Sequence, residues 1–125
     1  MHWSICTAMA LSLAIWRVAS AQVSGDPTRG QAAFVQCKAC HSLEVGKNGV
    51  GPSLHGLFGR QSGTAPNYNY SEAMKNAGVV WDDDTLFKYL ADPKAFVPGD
   101  KMTFPGVKDE QKRRDVIAYL KQATQ

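Results

Sequence analysis

Residues 37–41 read Cys37-Lys38-Ala39-Cys40-His41. Two thiols separated by two residues, with an imidazole directly after, are what one rigid planar ligand would require. The thiols can form thioethers with two vinyl groups of a porphyrin, and the imidazole can reach its iron from one side. C-x-x-C-H is the attachment signature of a c-type haem. The same side chains could begin a zinc site, but structural zinc takes four ligands. No further Cys or paired His follows, and beyond residue 21 the only other histidine is His55, which reads as a loop hydrogen-bonder. A thioredoxin-like dithiol would need a βαβ setting, and nothing strand-rich flanks the motif.

A second candidate ligand lies far along the chain. Residues 98–106 read Pro-Gly-Asp-Lys-Met-Thr-Phe-Pro-Gly, a loop bounded by proline and glycine that displays Met102. Met1 and Met9 stand at the N-terminus, and Met74 lies in a helical stretch where it reads as core filler. A methionine held between two prolines is harder to explain as packing. His/Met is one of the standard axial pairs of c-type haem and raises the reduction potential. The soft thioether sulfur favours the softer ferrous ion.

These groups need elements to carry them, and the sequence predicts helices only. Asp26 is a good N-cap with Pro27 in the first turn, and the helix runs to about the Cys/His motif. Gly30, Phe34 and Cys37 share one face of it. A glycine there weakens a helix, which makes sense where another backbone approaches. Residues 42–69 hold six glycines and no amphipathic period. So long a loop is unusual in a small domain, unless it wraps a large cofactor. Ser71 to Ala77 reads as a short helix stopped by Gly78. Asp82, Asp83 and Asp84 favour a helix start, and that helix, with Leu86, Phe87, Tyr89 and Leu90, stops before Pro93. The last helix is expected from about Asp109 to Ala123. Val116, Ile117, Leu120 and Ala123 form its apolar stripe, and Lys112, Arg113 and Lys121 its wet face.

The chain has 125 residues, one domain's worth. Residues 1–21 read as a signal peptide. Ile5 to Trp16 is mostly apolar but short for a bilayer, and Ala19-Ser20-Ala21 is an A-x-A cleavage pattern. The start of this leader carries His2 but no Lys or Arg, and Cys6 would be removed with it. An uncleaved anchor is the alternative. With the leader removed, a single domain would span 22–125, exported to a bacterial periplasm where haem is attached. One of the 14 basic residues, Arg17, lies in the leader, so 13 face 11 acidic ones. That mild excess argues against a nucleic-acid-binding protein.

With both ends of the site placed, the chain resembles a class I cytochrome c, of the soluble bacterial branch close to mitochondrial cytochrome c. The stretches that carry the resemblance are Gly30-Gln-Ala-Ala-Phe34, the C-x-x-C-H, residues 51–60 (Gly-Pro-Ser-Leu-His-Gly-Leu-Phe-Gly-Arg), Trp81, Tyr89-Leu90, Pro98 to Phe104 and Ala118-Tyr119-Leu120-Lys121. The resemblance implies an all-α fold of helices and glycine-rich loops around one covalently attached haem c. Cys37 and Cys40 would hold the macrocycle, and His41 and Met102 the iron. Gly30 and Phe34 would cross the last helix near Tyr119 and Leu120. The Pro52 carbonyl would accept the His41 Nδ1 proton. Arg60, Tyr70 and Trp81 would hydrogen-bond or compensate a haem propionate, and Tyr89 would lie near the Met102 sulfur.

The implied function is one-electron transfer between membrane redox complexes of a respiratory or photosynthetic chain, by a monomer that is neither an enzyme nor an integral membrane protein. Lys38, Lys47, Lys94, Lys101 and Lys108 would ring the exposed haem edge. Two positions depart from the pattern. Asp100 stands where a small hydroxyl residue is usual, and is expected to alter the local hydrogen bonding and to weaken the positive face. Met74 stands where a polar residue often helps hold an internal water. The rival reading is a haem peroxidase or gas-binding protein with a labile sixth ligand.

Overall fold

The structure, a computed structural model, describes residues 24–125. The proposed signal peptide and its cleavage site lie outside the described residues. Five α-helices occur among them: α1 (Pro27–Phe34), α2 (Glu72–Asn76), α3 (Asp83–Ala91), α4 (Pro93–Phe96) and α5 (Glu110–Ala123), with a 3-10 turn over Val35–Cys37. The only β pairing among the described residues is an isolated bridge between Gln61 and Val80. The all-α expectation holds.

Caps set the helix starts. The Asp26 carboxylate accepts from the amides of Thr28 (2.8 Å) and Arg29 (3.1 Å), and Pro27 opens α1. Asp82 and Thr85 cap each other's backbone at the start of α3. Asp109 accepts from the Lys112 amide at 2.7 Å to begin α5. Asp92 is extended, as the residue before a proline prefers; it ends α3 and caps α4.

The main packing is α1 across α5, with α3 against α5. Gly30 makes the first crossing possible. A Cβ built on it would lie 1.8 Å from the Asp115 carbonyl oxygen and 2.9 Å from Tyr119 Cβ. Phe34, 1% exposed, meets the Tyr119 ring at 5.4 Å. Gly30→Ala should therefore force the helices apart. Overpacking of this kind costs about 1–3 kcal/mol or more, and alanine's better helix propensity returns only about 1 kcal/mol. The expected result is a melting temperature lowered by several degrees, read by circular dichroism on the haem-loaded protein. An unchanged melt would mean the crossing does not need the glycine.

One expected wet-face residue of α5 is not wet. Arg113 is 8% exposed. Its guanidinium donates to the carbonyls of Val107 (2.9 Å), Phe87 (3.2 Å) and Lys108 (3.4 Å), and lies 4.3 Å from the Phe87 ring centre. A long side chain can turn back over the core and satisfy carbonyls where the chain enters the helix. Lys112 and Lys121 are exposed, as expected. Asp115 is also buried. It accepts from Arg29 Nε (2.9 Å), the Asp26 amide (2.8 Å) and Gln111 Nε2 (3.0 Å), tying the chain before α1 to α5. The Arg29 guanidinium in particular holds its carboxyl down at about 2.

The long segment 42–69 is ordered by distant partners rather than by a period of its own. The Gly56 amide donates to Thr124 O (2.6 Å), Gly59 to Trp81 O (2.7 Å) and Ser62 to Val79 O (2.6 Å). Gly59 has φ +86°, a backbone that side chains rarely adopt. These bonds lash the loop to α5 and to the strand-like entry of α3, and leave an apolar cavity behind it.

Candidate functional site

The cavity measures about 460 Å³, within the range of ligand sites. Phe34, Leu57, Met74, Trp81, Leu86, Val116 and Leu120 supply its buried apolar wall. Every residue that the sequence marked as a site candidate lines it: Cys37, Cys40, His41, Pro52, Arg60, Tyr70, Trp81, Tyr89 and Met102.

The Cys/His segment winds tightly. The amides of Cys40 (3.2 Å) and His41 (3.0 Å) both donate to the Cys37 carbonyl, so both thiols and the imidazole reach one cavity. Cys37 and Cys40 are free and half-buried. Burial, and then Cys40, push the Cys37 thiol above its ordinary value. His41 Nδ1 lies 2.8 Å from the Pro52 carbonyl oxygen. A carbonyl only accepts, so Nδ1 carries the proton and Nε2 keeps its lone pair. Burial lowers the His41 value, opposed by that hydrogen bond, and a neutral ring is the form that binds a metal. Gly51 sits against the ring, since a Cβ there would meet His41 Cε1 at 2.5 Å.

Across the cavity, Tyr89 points its hydroxyl at Asp100 Oδ2, with Met102 Sδ 3.8 Å away. Burial, then the Asp100 carboxylate, hold the Tyr89 phenol well above its ordinary value. Trp81 packs on Tyr89 with ring centres 5.0 Å apart. Arg60 Nη1 donates to the carbonyls of Ser53 (3.2 Å) and His55 (3.1 Å), but its buried Nε has no partner among the described residues. The Tyr70 hydroxyl accepts from the Ala65 amide at 3.1 Å, leaving its own proton to donate.

Sequence reasoning misplaced one residue and missed another. Asp100 was expected to weaken a surface field, yet it is 7% exposed and lines the cavity. Its oxygens accept from the Tyr89 hydroxyl and the Met102 amide. Tyr68 was not singled out. It lines the cavity, donates to Val50 O at 2.6 Å and meets the Tyr70 ring edge-on at 4.7 Å. The i, i+2 tyrosine pair just before the Ser71 cap was the available signal. Met74 is buried, as a core filler should be, and is also cavity wall. All five lysines of the expected ring are exposed, and Lys101 alone of them lines the cavity.

A profile of the family described as Cytochrome c matches residues 27–124. The chain belongs to the cytochrome c family. It is 50% identical over 118 residues to a cytochrome c2 of Rhodomicrobium vannielii, covering 94% of each chain. It is 51% identical over 102 residues to a cytochrome c of Ginkgo biloba, covering 80% of this chain and 90% of that one. The solved cytochrome cH from Methylobacterium extorquens superposes with a TM-score of 0.75 at 52% identity, over 78% of this chain and 99% of that one.

Membership in the cytochrome c family brings electron transport and one covalently attached haem c. The residues fit that group. Two free thiols and a metal-ready imidazole face an apolar cavity, and the unpartnered buried Arg60 Nε offers a donor for an anionic edge. Zinc has no comparable site: among the described residues no group of three or more His, Cys, Asp or Glu could hold a metal. Nor is any described helix long and apolar enough to cross a membrane.

Proposed function

We propose that the chain is a periplasmic one-electron carrier, exported by a leader cleaved after Ala21. In this reading Cys37 and Cys40 would form the thioethers, and His41 and Met102 would bind the iron. The observation that carries it is the convergence of His41 and Met102 from distant parts of the chain on one apolar cavity, the ring with its Nε2 lone pair free. The haem supplies the ferric/ferrous couple.

The protein's own part is binding and tuning. Pro52 fixes the His41 tautomer and ring plane, which raises ligand basicity. Met102 contributes a soft sulfur that favours the reduced state. Arg60, Tyr70 and Trp81 would offer N–H and O–H donors to an anionic edge of the haem. With two protein ligands on the iron, no open position is left for substrate or oxygen chemistry, which sets this reading apart from a peroxidase or gas binder. Lys38, Lys47, Lys94, Lys101 and Lys108 form the docking face for an acidic patch on a membrane redox complex.

Docking is testable by kinetics. The second-order rate of electron transfer to an isolated acidic partner complex should fall as salt rises, since the Debye length shrinks from about 10 Å at 0.1 M to about 3 Å at 1 M. Lys38→Glu is the cleanest reversal. Lys94 donates to the Asp100 carbonyl and Lys101 to Asn69 O, so changing either also disturbs a loop. Lys38→Glu should slow association several-fold at low salt. Lys121→Glu should not, because Lys121 pairs with Asp83 on the α3–α5 side. A flat salt profile, or equal effects from both reversals, would remove the lysine face from the account.

A further inference from the structure

Carboxylates are almost never fully buried unless paired, and Asp100 is a paired one in an unexpected place. It shares the cavity wall with His41 and Met102. Both of its oxygens are engaged by donors: the Tyr89 hydroxyl on Oδ2, and the Met102 amide on Oδ1 at 3.2 Å. An ionised carboxylate accepts only, so two donors and no acceptor describe the charged form. The Tyr89 hydroxyl has one proton and two neighbours. One is this carboxylate; the other is Met102 Sδ at 3.8 Å, a weak acceptor. A charge-assisted bond is the stronger of the two, and the proton goes to Asp100.

We propose that Asp100 is a positioning residue that sets the reduction potential: it places a negative charge in the cavity wall and keeps the Tyr89 proton off the Met102 sulfur. The proposal rests on the reading of Met102 as axial ligand. Both effects act in one direction. A fixed negative charge interacts more favourably with the more positive ferric centre, and a low-dielectric wall screens it less than water would. A thioether free of a hydrogen bond keeps its electron density for the metal, which also favours the ferric state. Asp100 therefore lowers the potential from the value that His/Met ligation alone would give. The exposed Lys94, whose ammonium donates to the Asp100 backbone carbonyl at 3.0 Å, is unchanged in every variant below.

The test is potentiometric titration of the haem-loaded wild type, Asp100→Asn, Asp100→Thr and Met102→Ala, with the sulfur-to-iron charge-transfer band recorded for each. Asp100→Asn keeps an oxygen for Tyr89 and removes the charge. Asp100→Thr removes the charge and leaves only a shorter, neutral hydroxyl to compete for the Tyr89 proton, which shifts that proton toward the sulfur. The potential should rise in both, further in Asp100→Thr, with the band kept. A residue that only clamps the loop would give the opposite sign, because a loosened methionine lowers the potential. An unchanged or lowered potential in Asp100→Asn, or loss of its band, would overturn the proposal; should that variant not fold, Asp100→Thr carries the same test. Failure of the underlying ligand reading looks different: either the wild type would show no band, or Met102→Ala would keep it, whatever the Asp100 variants do.

Discussion

Cells expressing the double variant Cys37→Ala, Cys40→Ala should yield a chain with no covalent haem and little cooperative structure. The thiols converge on one cavity and are free to react. The cavity also explains why folding should fail. Leu57, Met74, Leu86, Val116 and Leu120, each below 8% exposed, all border it. Without the macrocycle these side chains face a gap or water instead of a packed surface. At about 25 cal/mol per Å² of apolar area, one large planar ligand contributes several kcal/mol, comparable to the whole stability of a small domain, about 5–15 kcal/mol. Two measurements suffice: acid-acetone extraction, which should leave wild-type haem with the protein, and a thermal melt of the variant. Wild-type haem that extracts freely, or a variant that melts like wild type, would contradict the expectation.

Met102→Ala should leave the haem attached and change its electronics. The methionine loop is held from several sides. The Met102 amide donates to Asp100, Lys94 donates to the Asp100 carbonyl, and Gly99, with φ +93°, turns the chain just before. That scaffold should survive loss of one thioether. The iron should lose its soft ligand, and the potential should fall on the order of 0.1 V, part of the roughly 0.8 V range that axial ligation spans. The charge-transfer band should vanish, and small ligands should gain access. Met74→Leu should do none of this, although Met74 also borders the cavity. Control of the band by Met74 would transfer the ligand role to it.

Which side chains share the cavity was more legible than the packing, for physical reasons. Covalent attachment to one rigid ligand demands Cys37, Cys40 and His41 in fixed order, so the spacing alone carries the meaning. Helix starts were legible because caps are local: Asp26, Asp82 and Asp109 each accept from amides two or three residues on. Arg113 was misread because periodicity assigns a face to the Cα, whereas a guanidinium on a long stem can turn back to three carbonyls. The altered hydrogen bonding at Asp100 was legible, but its burial was not, because a charge in a glycine-rich loop normally means water. Its partner Tyr89 lies eleven residues away, and only the fold brings the two together. The loop 42–69 showed no pattern because its order comes from distant carbonyls such as Thr124 O and Trp81 O.

An iron closed on both sides by His41 and Met102 should resist carbon monoxide. The gas is added to the reduced wild-type protein at neutral pH while the absorption spectrum is followed. The wild-type spectrum should barely change, while Met102→Ala under the same conditions should form the carbon monoxide adduct readily. Rapid, complete adduct formation by the wild type would show an open sixth position and rule out Met102 as the closing ligand.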